Sequence, residues 1–130
     1  MKVSVDTNIL ARATLQDDPA QCRAARKLLS EASLAAISLP CLCELVWVLR
    51  GEKVAKKDVA VTIRALLDAD NIITNRPAAE AGLAMLDAGG DFADGVMAHE
   101  GAWLGGETFV SFDKQAVTLL AKQGRAARLL

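Results

Sequence analysis

Four acidic side chains stand at positions where a carboxylate is costly unless it has a partner: Asp6, Glu44, Asp94 and Asp113. Asp6 ends VSVD, directly after the strand-like Val3-Ser4-Val5, and Glu44 is set in the apolar run PCLCELVWVL. Asp94 lies in GGDFADGVMAHEG, and Asp113 follows the strand-like Thr108–Ser111 with only Phe112 between. Ionised carboxylates crowded together repel, and their pKa values rise. A hard divalent cation relieves that repulsion, and oxygen-only ligands suit Mg²⁺ or Mn²⁺ better than zinc. One or two such ions, in pairs about 3.5–4 Å apart, activate a water and stabilise both reacting oxygens in phosphodiester cleavage. Each acid also has an ordinary reading. Asp6 can cap a helix, Asp91 can cap the helix that carries Asp94, and Asp94 can be its third residue, favoured by the helix dipole. Thr7 and Asn8 serve equally as capping residues or as hydrogen-bonding support for the site.

The elements that would position these acids alternate along the chain. Strand-like segments are Lys2–Val5, Ala35–Leu39, Asn71–Thr74, Thr108–Ser111 and, more weakly, Ala127–Leu129. A helix-like apolar pattern begins after Asn8. Asp18-Pro19, a cap followed by proline at the first helical position, opens a helix to about Ala32. Pro40 opens another through Leu49, ended by Gly51. Asp58–Leu67, Ala78–Ala88, Asp94–Leu104 and Lys114–Lys122 complete the helical segments. Strands alternating with helices imply βαβ units and a mostly parallel sheet, with one domain over residues 1–130. Ligands of open α/β sheets sit outside the carboxyl ends of the strands. That places Asp6 and Asp113 at one sheet edge, with Glu44 one turn into the helix after the second strand.

Composition narrows the chemistry. The chain is 52% hydrophobic but only 4% aromatic, which suits buried aliphatic strands. Its net charge is −1, yet with the four acids set aside twelve acids face fifteen Lys and Arg, so the remaining surface tolerates an RNA partner. The basic stretch RGEKVAKK offers Arg50, Lys53, Lys56 and Lys57 to phosphates, or forms a solvated loop and helix start. No apolar run reaches the roughly 18 residues of a membrane span. Asp6 interrupts any signal-peptide layout, so a cytoplasmic location is expected. Cys22, Cys41 and Cys43 are expected as reduced, small core residues; Cys41-x-Cys43 is not a zinc spacing. The single histidine, His99, rules out an acid–base histidine pair and leaves no serine or cysteine triad. Neither GxGxxG nor a Walker-type phosphate loop occurs.

Taken together, VDTNIL, CELVWVL, DFADGVMAHEG and SFDK resemble, in order and over essentially the full chain, the PIN-domain ribonucleases, and among them the VapC-type toxins of bacterial toxin–antitoxin pairs. The resemblance implies a three-layer α/β/α sandwich around a mostly parallel central sheet. It implies a Mg²⁺- or Mn²⁺-dependent endoribonuclease that hydrolyses RNA with a metal-activated water. Asp6, Glu44 and Asp94 match the family's three core acids, Asp113 its more variable fourth, and Asp91 an accessory acid. Asp6 would then be a metal ligand delivered by a central strand, with Thr7, Asn8 and Ser111 as hydrogen-bonding support. Homodimerisation and a small cognate antitoxin, its tail across the active groove, are also implied. The alternative is a PIN-like module that binds RNA or protein without cleaving it. A phosphoacceptor receiver domain fits less well, because it wants an acid pair after the first strand and here Thr7 and Asn8 follow Asp6.

Overall fold

The computed structural model describes residues 1–130 and is an α/β fold of seven helices and five short strands. Every strand pair is parallel, divided between a three-stranded sheet and a two-stranded sheet. The chain groups into two compact units, Met1–Asn75 and Arg76–Leu130.

The first unit runs β1 (Lys2–Ser4), α1 (Thr7–Leu15), α2 (Pro19–Glu31), β2 (Leu34–Ala36), α3 (Leu39–Gly51), α4 (Lys56–Leu67) and β3 (Ile72–Ile73). Strand order is β1-β2-β3, so β2 is the middle strand and β1 lies at the edge of this sheet, not at its centre as expected. Val3 pairs with Ala35, and Ala35 in turn with Ile72. Asn71 braces the same region, its amide donating to the carbonyls of Leu29 and Ala32 at 2.7 and 2.9 Å.

Helix boundaries follow side-chain chemistry. α2 starts as its sequence dictates, with Asp18 accepting from the Gln21 amide and Pro19 at the first position. α3 starts one residue before Pro40, because Ser38 Oγ accepts from the Cys41 amide at 3.3 Å and so supplies the cap. Gly51 is the last residue of α3 and Glu52 its C-cap, so the helix runs one turn fraction further than Gly51 would suggest. Leu42, Leu45, Leu49, Val59, Ile63 and Ile72 are buried and form much of this unit's interior.

The second unit runs α5 (Arg76–Asp87), α6 (Phe92–Trp103), β4 (Phe109–Ser111), α7 (Lys114–Lys122) and β5 (Ala127–Leu129). Met85, Ala98 and Leu120 form a buried cluster against which Phe109, Leu119 and Ala127 pack. α5 and α6 approach closely because two glycines permit it. A Cβ on Gly82 would meet the Phe92 ring at 2.6 Å, and one on Gly95 would meet the Ala81 carbonyl oxygen at 2.4 Å. No helix is long and apolar enough to cross a membrane.

Candidate metal centre

In the first unit, Asp6 leaves the end of β1 and becomes the N-cap of α1. The Val5 amide still donates to Ala36 at 3.2 Å, so the ladder holds the chain up to the residue before the acid. Asp6 Oδ1 then accepts from the Ile9 amide at 3.2 Å, which leaves Oδ2 without a protein donor. Thr7 is buried, and its hydroxyl donates to Cys41 Sγ at 3.8 Å. Asn8 is exposed beside Asp6.

Glu44 differs from its expected setting. It is exposed, because the buried stripe of α3 is Cys41, Leu42, Leu45, Val46 and Leu49, and Glu44 lies off that stripe together with the exposed Trp47. An apolar run on a helix need not bury every residue within it. Glu44 nonetheless shares an electrostatic neighbourhood with Asp6. Burial pushes the Cys41 thiol above its ordinary range; the Thr7 hydrogen bond opposes this, and the charges of Asp6 and Glu44 add to the rise. Both carboxylates therefore act on one buried thiol.

In the second unit, Asp91 caps α6, its Oδ1 accepting from the Ala93 amide at 3.2 Å, and Asp94 is the third helical residue. Asp113 caps α7, its Oδ1 accepting from the Ala116 amide at 3.1 Å. Ser111 Oγ accepts from the Asp113 amide at 2.9 Å and so fixes the backbone that carries the acid. Asp94 is half-buried, and its carboxyl is pushed above the usual carboxylate range, first by burial and then by the charges of Asp91 and Asp113. Asp94 thus lies within reach of the charges of both capping acids.

The structure brings Asp91, Asp94 and Asp113 into one electrostatic neighbourhood, and Asp6 and Glu44 into another. It contains no ready-made group of three or more His, Cys, Asp or Glu side chains set to grip a metal. The donor chemistry still fits a hard cation, since every candidate ligand is a carboxylate oxygen. Mg²⁺ in particular keeps several waters and takes only one or two protein carboxylates at a time.

The remaining residues singled out by type have more local roles. Arg50 donates to the Val54 carbonyl at 2.8 Å and braces the loop after α3. Lys53 sits there in a left-handed conformation, φ 64°; Lys53 and Lys57 are exposed and Lys56 is half-buried. His99 Nδ1 lies 3.3 Å from Arg125 Nη2; a guanidinium only donates, so that nitrogen accepts the hydrogen bond. None of the three cysteines is in a disulfide; Cys22 and Cys41 are buried core residues as expected, whereas Cys43 is only half-buried.

One feature had no signal in the sequence. An open groove of about 590 Å³ starts at Asp6 and Asn8 and continues past Ile9, Arg12, Gln21 and Leu28 between α1 and α2. Arg12 is held within it by a two-pronged pair with Asp17, at 3.0 and 2.9 Å. The five-residue spacing of Arg12 and Asp17 spans the end of α1, where Gln16 turns left-handed, and is not a regular helical pairing.

Asp6 and Asp113 thus follow parallel strands and cap the next helices, Asp91 and Asp94 stand at the start of α6, and Glu44 lies within α3. The PIN domain family model matches residues 3–119, most of the chain and all of the acids considered, and the protein belongs to that family. PIN domains are typically metal-dependent nucleases that use Mg²⁺. No curated protein matches the chain significantly.

Proposed function

We propose that this PIN-domain protein is a Mg²⁺- or Mn²⁺-dependent endoribonuclease acting as the toxin of a toxin–antitoxin pair. The observation that carries the nuclease reading is Asp94. It is a half-buried acid whose ionisation is opposed by burial and by Asp91 and Asp113, and it lies within a family match that spans all the acids. Isolated from function, such repulsion only destabilises; a bound divalent cation turns it into affinity. In this reading Asp6, Glu44, Asp94 and Asp113 hold the metal, with Asp91 as an accessory. The cation, when bound, supplies Lewis-acid stabilisation of the phosphate oxygens and lowers the pKa of water. Thr7 and Ser111 hold the backbone and helix starts that carry the acids, through the hydrogen bonds to Cys41 and from Asp113. Asn8 lines the approach to Asp6. The RNA backbone runs to Lys53, Lys56 and Lys57, with Arg50 shaping their loop.

The toxin assignment follows the VapC-like order of the motifs. A small antitoxin would cover the α1–α2 groove, which opens beside Asp6 and has apolar walls at Ile9 and Leu28. A homodimer would cover exposed Trp47 or Trp103, which are 77% and 86% accessible.

The test is cleavage of single-stranded RNA with and without Mg²⁺ or Mn²⁺, together with growth on induced expression. Wild type should cut only with metal and arrest growth, and Asp94→Asn should do neither while keeping its circular dichroism. Equal cleavage by wild type and Asp94→Asn would refute the assignment of the site. Cleavage without growth arrest would leave the nuclease and remove the toxin. A second reading, a PIN-like module that binds RNA or protein without cutting it, is favoured by the absence of a preformed group of three metal ligands. Calorimetry decides between the two, since that module would take up no Mg²⁺ or Mn²⁺ at millimolar concentration.

A further inference from the structure

We infer that Thr7 and Cys41 form a latch that sets the separation of Asp6 and Glu44, and that Cys41 is thereby a positioning residue for the bound cation. The inference rests on the reading of Asp6 and Glu44 as metal ligands, and goes beyond it by giving a role to a thiol that composition marks only as core. Its basis is where the two residues sit. Thr7 is the first residue of α1, immediately after the capping Asp6. Cys41 is the third residue of α3, its amide tied to the Ser38 cap, and Glu44 stands three residues further along the same helix, on its exposed side. The Thr7 hydroxyl donates to Cys41 Sγ across 34 residues of sequence, at 3.8 Å, in a buried setting. One contact thus joins the first turns of two packed helices, with Asp6 capping the one and Glu44 a turn further along the other.

The latch has few ways to relax. Thr7 is 9% accessible and Cys41 6%, so water does not readily replace either partner. Both acids lie near enough to act on the Cys41 thiol, whose pKa is raised first by burial and further by their charges. A cation drawing on Asp6 and Glu44 needs those carboxylates held at a fixed spacing, and the Arg12–Asp17 ion pair beside Asp6 involves neither of them. Hydrogen bonds that orient metal ligands typically account for about 10- to 100-fold in metal affinity. A sulfur acceptor is weak, which places this one near the lower end.

The experiment measures Mn²⁺ binding by calorimetry, without RNA, on wild type, Thr7→Val, Cys41→Val, Cys41→Ser and the Thr7→Val/Cys41→Val double variant, with thermal melts alongside. Thr7→Val and Cys41→Val should each weaken Mn²⁺ about tenfold. The double variant should be no weaker than either single, because both remove the same contact. Cys41→Ser, which keeps an acceptor, should stay within about threefold of wild type, the rescue that a role in packing alone would not give. If Thr7→Val does not fold, Cys41→Val against Cys41→Ser carries the same comparison. Wild type that binds Mn²⁺ alongside folded valine variants of equal affinity overturns the latch alone. Wild type that binds no Mn²⁺ at millimolar concentration overturns the underlying site, and the latch with it.

Discussion

Two glycines of α6 should respond in opposite directions to the same substitution. In Gly95→Ala the new Cβ would sit 2.4 Å from the Ala81 carbonyl oxygen, with Met85 Cγ at 2.8 Å. The carbonyl belongs to the backbone of α5 and cannot rotate away, so α5 and α6 must part by roughly 0.6 Å merely to reach 3.0 Å, the lower bound of real Cβ contacts. Overpacking of this kind costs about 1–3 kcal/mol, and a clash with backbone belongs in the upper half of that range. Alanine returns about 1 kcal/mol of helix propensity, leaving a net loss of about 1–2 kcal/mol. At Gly101, the tenth of the twelve residues of the same helix, nothing lies within 4 Å of the added Cβ. Gly101→Ala should therefore gain up to about 1 kcal/mol from propensity alone. For a chain of this size these changes correspond to a fall of roughly 5–10 °C and a rise of a few degrees in melting temperature. Urea denaturation followed by circular dichroism reads both, with unchanged slopes confirming that stability has moved and not the compactness of the unfolded chain. Because Gly95 adjoins Asp94, cleavage and Mn²⁺ binding should fall in Gly95→Ala and persist in Gly101→Ala. A Gly95→Ala protein as stable as wild type would refute the close approach of the two helices on which the placement of Asp94 depends.

Two other substitutions separate structural from chemical roles. Asp6→Asn should melt within about 1 °C of wild type because asparagine caps a helix as well as aspartate, whereas Asp6→Ala should lose about 1 kcal/mol with the Ile9 hydrogen bond; both should be inactive, and a catalytically competent Asp6→Asn would remove Asp6 from the site. Asp94 has a pKa raised above 3.8 in the folded protein, so its favourable contribution is full below 3.8 and is lost as pH rises through the folded value. At neutral pH in a chelator, Asp94→Asn should therefore be more stable than wild type, with the difference shrinking as pH falls towards 3.8; denaturation at both pH values checks it, and a variant less stable than wild type at pH 7 would contradict the sign.

What could be read from the sequence was mostly local. α7 and β5 fall on the expected Lys114–Lys122 and Ala127–Leu129, and α2 starts at its Asp18-Pro19 signal, because caps and turn residues act within a few positions. Pro40 misled by one residue, since proline is tolerated throughout the first helical turn and Ser38 had the stronger claim to the cap. Glu44 misled more. Its apolar neighbours in sequence lie around the circumference of α3, and only the tertiary packing decides which side faces inward. Long-range pairing was out of reach for the same reason. Nothing in the residue types of Thr7 and Cys41 shows that α1 and α3 pack with those two positions opposed, or that the parallel strands divide into two sheets. The acids themselves stood out because their chemistry is conspicuous beside strands and in apolar runs, whereas their electrostatic coupling depends on the fold.

The ordinary reading of three of these acids is correct, and it does not compete with the functional one. Asp6, Asp91 and Asp113 each use Oδ1 to satisfy a helix amide. A capping carboxylate is anchored by the helix it begins, faces the positive end of the helix dipole, and keeps a second oxygen that the cap does not need. Those are also the properties a rigid ligand for a hard cation requires. Capping therefore cannot distinguish a structural acid from a catalytic one, and the weight falls on Asp94. It is the third residue of α6, in the first turn, where Asp91 already supplies the cap. It is half-buried and opposed by two neighbouring carboxylates. The helix dipole favours an acid in that turn only modestly, and burial and the two neighbouring charges oppose its ionised form. A side chain kept ionisable against its surroundings beside two anchored carboxylates has a physical rationale once a divalent cation is added, and none among the protein's own contacts.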